Sequence, residues 1–225
     1  MKKSIAFLPK KNREDLKYLV ELILDKIPVC EMIILYGSYA RGTYVSYDER
    51  EEFGIPTSFK SDYDILVINS AWSYDKIENK LASVRNIYDK RGDHRYRVPV
   101  QFIHDSIKKV NEDLKYSRYF YTELKRDGIM LYNRGKNKLA RRKPLKFGEI
   151  KKQGEEYFRY AEHILKQLSS DDYLAQEGGN HGFILLHSVG SFPHDSEIDT
   201  PLNYADYYFL EALKRKRDIE KMYNS

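Results

Sequence analysis

Two short stretches of this 225-residue chain carry groups whose types and spacing could do chemistry together. Gly37-Ser38-Tyr39-Ala40-Arg41-Gly42 follows directly on the apolar run Met32-Ile33-Ile34-Leu35-Tyr36, and Ser61-Asp62-Tyr63-Asp64 leads into Ile65-Leu66-Val67-Ile68. A Gly-Ser turn leaving a buried strand lets backbone N–H groups and a hydroxyl approach phosphate oxygens, because Gly has no side chain in the way and accepts positive φ. Asp62 and Asp64 are two apart on a strand, so they share one face and are able to converge on one cation. Carboxylates and substrate phosphates are the usual ligands of Mg²⁺, and a metal pair holds the attacking and leaving oxygens of an in-line displacement. Either stretch alone is a common turn or a solvated strand entry. In this order, each attached to a strand, they predict Mg²⁺-dependent nucleotidyl transfer from a nucleoside triphosphate to a hydroxyl. Gly37 and Ser38 would hold the triphosphate, Asp62 and Asp64 the metal, and Arg41 would offset phosphate charge.

Residues 32–68 resemble the nucleotidyltransferase superfamily that includes DNA polymerase beta and the minimal nucleotidyltransferases, whose pattern is a Gly-Ser turn followed by Asp-x-Asp. That resemblance implies a third carboxylate on a later strand, where it helps bind metal and activates the acceptor hydroxyl. On the candidate strand Val98–His104 the expected position holds Gln101, and a neutral amide cannot serve as a base. Asp105 offers a substitute, although a turn-forming Asp at a strand end is the preferred reading. The stretch 43–60 is longer than the short hairpin the superfamily commonly has there, and its charges, Gly and Pro predict an exposed loop.

The elements that must position these residues follow from periodicity. Helical spacing runs over Asn12–Ile27 and Tyr74–Lys90, and strands are expected at 32–36, 64–69, 98–104 and 129–132. Ser106–Leu114 and Tyr116–Asp127 read as helices, the second stopped by Gly128. The expected fold is α+β, a mixed sheet with helices packed on it over residues 1–133 and a helical C-terminal region beyond.

Residues 134–146, rich in Lys, Arg and Asn, read as a linker, and Phe147–Leu168 has a helical apolar pattern. From Ile5 to about Leu168, notably in Val110-Asn111, Tyr119-Phe120 and Asp127–Tyr132, the chain is similar to bacterial proteins that fuse a minimal nucleotidyltransferase to a helical HEPN domain. The resemblance makes 147–170 the first helix of such a domain. It implies a toxin–antitoxin setting and a HEPN protein, whose tyrosine is the acceptor, as partner. Active HEPN members cleave RNA with an Arg-x4–6-His pair, whereas Arg159 and His163 stand one residue too close.

Composition shifts near Asp171. The stretch Glu177–Ser191 and then Asp199–Leu213 resembles the C-terminal end of an unsaturated glucuronyl hydrolase, a helical toroid. About fifty residues cannot rebuild a toroid, and the hydrolase's catalytic acids lie upstream of this tail. Residues 171–225 are thus a gene-fusion remnant or a replacement helix, in which Tyr204, Tyr207, Tyr208, Leu210 and Leu213 would cover the helix at 147–168; the former is preferred. His187, His194, Asp195, Glu197 and Asp199 lack metal spacing and read as a loop inherited with the tail.

Composition narrows the classes. Lys and Arg (39) nearly match Asp and Glu (34), leaving net charge +5 on a mixed surface rather than a nucleic-acid stripe. The 20 tyrosines are scattered, Cys30 is the only cysteine, and no stretch is long enough to span a bilayer, so a cytoplasmic protein is expected. Two function classes stand: a transferase, and a non-catalytic nucleotide-binding or antitoxin-like module favoured by Gln101. An incompletely covered helix at 147–168 would also favour self-association.

Overall fold

The computed structural model describes residues 1–2, 4–52, 55–92, 97–191 and 196–223. Two compact units, Met1–Leu145 and Lys146–Ser225, make up the chain.

The first unit is built on a four-stranded mixed sheet in the order β5-β4-β1-β6, formed by β1 (Cys30–Tyr36), β4 (Tyr63–Asn69), β5 (Val100–Ser106) and β6 (Ile129–Asn133). Strand β1 runs antiparallel to both β4 and β6, while β4 and β5 are parallel. Central strands covered on both faces read as continuous apolar runs, and β1 and β4 do so. Helices α1 (Lys10–Lys26) and α3 (Tyr74–Asp89) cover one face. Leu16, Leu19 and Ile23 of α1 and Ile77, Leu81 and Val84 of α3 pack there against Ile33, Leu35, Ile65 and Val67. Helices α4 (Ile107–Lys115) and α5 (Tyr119–Asp127) cover the other, where Val110, Leu114, Tyr121 and Leu124 meet Met32, Ile34, Leu66 and Ile68. The architecture is α+β with a mixed sheet and helices packed on it.

The structure corrects the sequence reading in several places. The stretch expected as an exposed loop contains an antiparallel ribbon, β2 (Asp48–Glu52) paired with β3 (Ile55–Phe59), in which the two strands satisfy each other's backbone N–H and C=O groups. Strand β5 begins and ends two residues later than expected. Asp105 therefore lies inside it, opposite Ile68, and accepts a hydrogen bond from the Tyr121 hydroxyl instead of forming a turn. The residue that ends the strand and caps α4 is Ser106, whose hydroxyl accepts from the Lys109 N–H at 3.2 Å. Helix α5 starts at Tyr119 rather than Tyr116, since Ser117, at φ 54°, breaks the chain between α4 and α5. Gly128 ends α5 with an extended backbone. It must be Gly because a side chain would run into the Leu124 carbonyl and the Ile34 side chain.

Residues 134–145 hold no helix or strand, yet they are stitched onto the first unit. Arg134 N–H donates to the Glu31 carbonyl at 2.9 Å, and Asn111 Nδ2 donates to the Lys138 carbonyl at 3.1 Å. Ser117 Oγ donates to the Lys143 carbonyl at 2.6 Å, while Leu139 and Ala140 join the second core cluster.

In the second unit, α6 (Phe147–Leu168) packs with α7 (Asn203–Tyr223) around Leu165, Leu185 and Phe209. The face of α7 used is Ala205, Phe209, Ala212 and Leu213, at helical spacing. Tyr207, Tyr208 and Leu210, expected on the covering face, are exposed because they lie on the other side of that phase. Buried Asp206 accepts the N–H groups of Ile184 at 2.8 Å and Leu185 at 2.9 Å, which fastens the preceding loop to α7. A short ribbon, β7 (Val189–Ser191) with β8 (Ser196–Ile198), lies between. Among the described residues no helix is long and apolar enough to cross a membrane.

Candidate functional site

Strand β1 ends at Tyr36 and the chain turns at once into a one-turn helix, α2 (Gly37–Arg41). Gly37 has φ 69°, a region L side chains rarely adopt. Its Cα also lies directly against the Asp64 carboxylate, so that an added Cβ would overlap Asp64 Oδ2. Antiparallel pairing sets this contact, because Tyr36 is the register partner of Asp64. Ser38 is half-buried, and its carbonyl accepts from the N–H groups of Gly42 and Thr43, the latter at 3.0 Å. Below the turn, Tyr39 is fully buried, stacked on Tyr44 at 4.1 Å and edge-on to Tyr63 at 4.6 Å.

Entry into β4 is held equally firmly. Ser61 and Val45 exchange hydrogen bonds, Ser61 N–H to the Val45 carbonyl at 2.9 Å and Val45 N–H to Ser61 Oγ at 2.9 Å. Tyr63 points the opposite way into the core, its hydroxyl accepting from Asn12 Nδ2 at 2.7 Å. Strand alternation then leaves Asp62 and Asp64 together on the other face, both half-buried.

Their electrostatics agree with that placement. Burial, reinforced by the neighbouring charge of Asp62 and opposed by Arg41, pushes the Asp64 carboxyl up to about 6. The Tyr36 hydroxyl is held protonated far above neutrality by burial and then by Asp64 and Asp62. Two carboxylates on one strand face are a donor type suited to a hard divalent ion, whose charge would offset the burial and repulsion that raise Asp64. The next strand contributes Gln101 directly opposite Asp64 in the parallel register. Asp105 stands four residues further along β5, about 13 Å away, with its carboxylate committed to Tyr121, and is no third ligand for this pair. Among the described residues no group of three or more His, Cys, Asp and Glu is placed to hold a metal.

Sequence reasoning missed the cleft beside the turn. It measures about 270 Å³ and is lined by Tyr36, Gly37, Arg41, Tyr119, Phe120, Glu123 and Asp127, among others. The only hint was that Tyr119-Phe120 and Asp127-Gly128 flank α5 at helical spacing, with nothing to say that α5 faces Gly37. In the tail, His187 Nδ1 lies 2.6 Å from Asp199 Oδ1, an exposed pair; His194 and Asp195 lie outside the described residues.

No family model matches the chain. A stretch of 63 residues is 49% identical to the unsaturated glucuronyl hydrolase of Formosa agariphila, which is 28% of this chain and 16% of that protein. The chain thus spans about a sixth of the length of the curated relative it matches. A solved unsaturated glucuronyl hydrolase specific for heparin is 60% identical over a match covering 32% of this chain and 20% of that chain, with a TM-score of 0.30. A tri-AMPylated Shewanella oneidensis HEPN toxin solved in complex with MNT antitoxin gives a match at 12% identity, covering 69% of this chain and 91% of that chain, with a TM-score of 0.31.

Proposed function

We propose that the first unit is a Mg²⁺-dependent nucleotidyltransferase, transferring a nucleoside monophosphate from a nucleoside triphosphate to a hydroxyl. The observation that carries this reading is the Asp64 carboxylate, seated against Gly37 and costly to ionise beside Asp62. Such a pair at a Gly-Ser turn makes sense when positive charge and phosphate meet there. Asp62 and Asp64 would hold the ion, which supplies charge neutralisation and alignment of the phosphate when bound. Gly37 lets phosphate approach the backbone, Ser38 offers its hydroxyl, and Arg41 offsets charge on the phosphate. Tyr36, kept protonated, remains a hydrogen-bond donor at the edge of the same pocket.

Gln101 supports a second reading. Gln101 is the register partner of Asp64, and an amide cannot take a proton from an acceptor hydroxyl, so a nucleotide-binding or antitoxin-like module without turnover has a specific residue in its favour. Under either reading the implied partner is a HEPN protein or a second copy of this chain. Hydrolysis of a sugar is no part of the proposal, since the hydrolase-like stretch spans 16% of that relative.

The test is isothermal titration of ATP with Mg²⁺ into the full chain and into Asp62→Ala/Asp64→Ala, with labelled AMP incorporation followed in the same samples. Metal-dependent binding and incorporation that both vanish in the double variant support the transferase. Binding without incorporation supports the second reading, and absence of binding sinks both.

A further inference from the structure

The cleft between α2 and α5 has features that the phosphate and metal chemistry does not use. One wall is aromatic: Tyr36 and Phe120 meet edge to face at 5.5 Å, and the Tyr119 ring is 71% exposed at the rim. An exposed aromatic ring beside an apolar wall is a platform on which any nucleobase stacks. At about 270 Å³ the space lies just below the roughly 300 Å³ at which small-ligand pockets begin, the scale of a single base rather than of a folded partner.

The same face of α5 carries acceptors one and two turns beyond Tyr119, at Glu123 and Asp127. Arg126 forks onto both oxygens of Asp127, at 2.9 and 2.7 Å, and onto Oε2 of Glu123. This fork holds the Asp127 carboxyl below its usual range and fixes Glu123 in place. A carboxylate has about four lone-pair positions, so Glu123 keeps acceptor capacity toward the cleft. The rim therefore offers acceptors where an amino group is welcome and a carbonyl oxygen is not. Arg41 stands on the turn side, where the phosphates are assigned.

We infer that this cleft is the nucleobase subsite, that the base stacks on Tyr119 and Phe120, and that Glu123 selects adenine and cytosine, which carry an amine on the edge it meets, over guanine and uracil, which carry a carbonyl there. The inference rests on the nucleotide-binding reading of the Gly37 turn and deepens it. Discrimination arises because a uracil O4 or a guanine O6 facing Glu123 would leave two acceptors opposed, whereas the adenine or cytosine amine donates to it.

The test measures dissociation constants of ATP, CTP, GTP, UTP and inorganic tripolyphosphate, all with Mg²⁺, for the full chain, Tyr119→Ala and Glu123→Gln. The expected result is GTP and UTP each at least about tenfold weaker than ATP and CTP, with that discrimination falling to within about threefold in Glu123→Gln. In Tyr119→Ala, whose exposed ring the fold does not need, all four nucleotides weaken about tenfold while tripolyphosphate is unchanged. Equal affinities for UTP and ATP, or nucleotide affinities unmoved by Tyr119→Ala, overturn the base subsite and leave the phosphate site standing if tripolyphosphate still binds. Loss of tripolyphosphate binding in the unmutated chain overturns the phosphate site as well.

Discussion

The Asp64 carboxylate occupies the space that any side chain at position 37 would need, so Gly37 and Asp64 define each other's place. Gly37→Ala meets this overlap and a left-handed φ at once. It should cost about 1–3 kcal/mol of stability and displace Asp64 from the turn. Denaturant unfolding reads the first effect and Mg²⁺-ATP titration the second; a variant with wild-type affinity for Mg²⁺-ATP would break the link between turn and carboxylate.

Asp64 gives the protein a pH signature. Its folded-state pKa, about 6, lies above the ordinary value of 3.8, so between those values the folded form holds a proton the unfolded chain has lost. Its contribution to stability is present below about 4 and is lost as pH rises through about 6. Cation binding runs the other way, because the ligand form is ionised and affinity should climb through the same window. Asp62→Asn removes the like charge and should move the Asp64 midpoint down. Carbon-detected NMR titration of the Asp64 carboxyl in the two proteins checks the shift, and an unmoved midpoint would show that Asp62 does not act on it.

Gln101 lies opposite Asp64 in the parallel register, which makes it the place to add a third carboxylate. Gln101→Asp should tighten Mg²⁺ binding several-fold and raise AMP incorporation, while pushing the metal-free Asp64 carboxyl higher still. If incorporation stays at background while Mg²⁺ binds more tightly, the amide at position 101 is not what withholds turnover.

In the second unit, Asp206→Ala leaves the Ile184 and Leu185 amides without their acceptor. The Leu185 amide is buried and the Ile184 amide partly so, and orphaning them is costly, so a loss of about 1–3 kcal/mol is expected. Hydrogen exchange should show those two amides opening first, with the amides of β1 and β4 unaffected.

Much of the frame was legible in the chain. Met32–Leu35 and Ile65–Ile68 are apolar without interruption because helices cover both faces of their strands, and α1 and α3 show the spacing of one buried side. The ribbon at 48–59 was not, since neither Asp48–Glu52, charged throughout, nor Ile55–Phe59, interrupted by Pro56, shows the alternation that marks a strand. Nor were Asp105 with Tyr121, or α5 beside Gly37, because contacts between elements far apart in sequence depend on how helices cross a sheet. The chemistry-bearing types were visible at Gly37, Asp62 and Asp64, while the aromatic and acidic walls beside them were not.

The stitching of residues 134–145 decides where the chain can be cut. A fragment ending at Asn133 would strip Leu139 and Ala140 from the core beneath α4 and α5 and release Ser117 and Asn111 from their carbonyl partners. Cloning boundaries drawn by composition alone would thus yield a sticky, frayed fragment, whereas a stop codon after Leu145 keeps that seam closed.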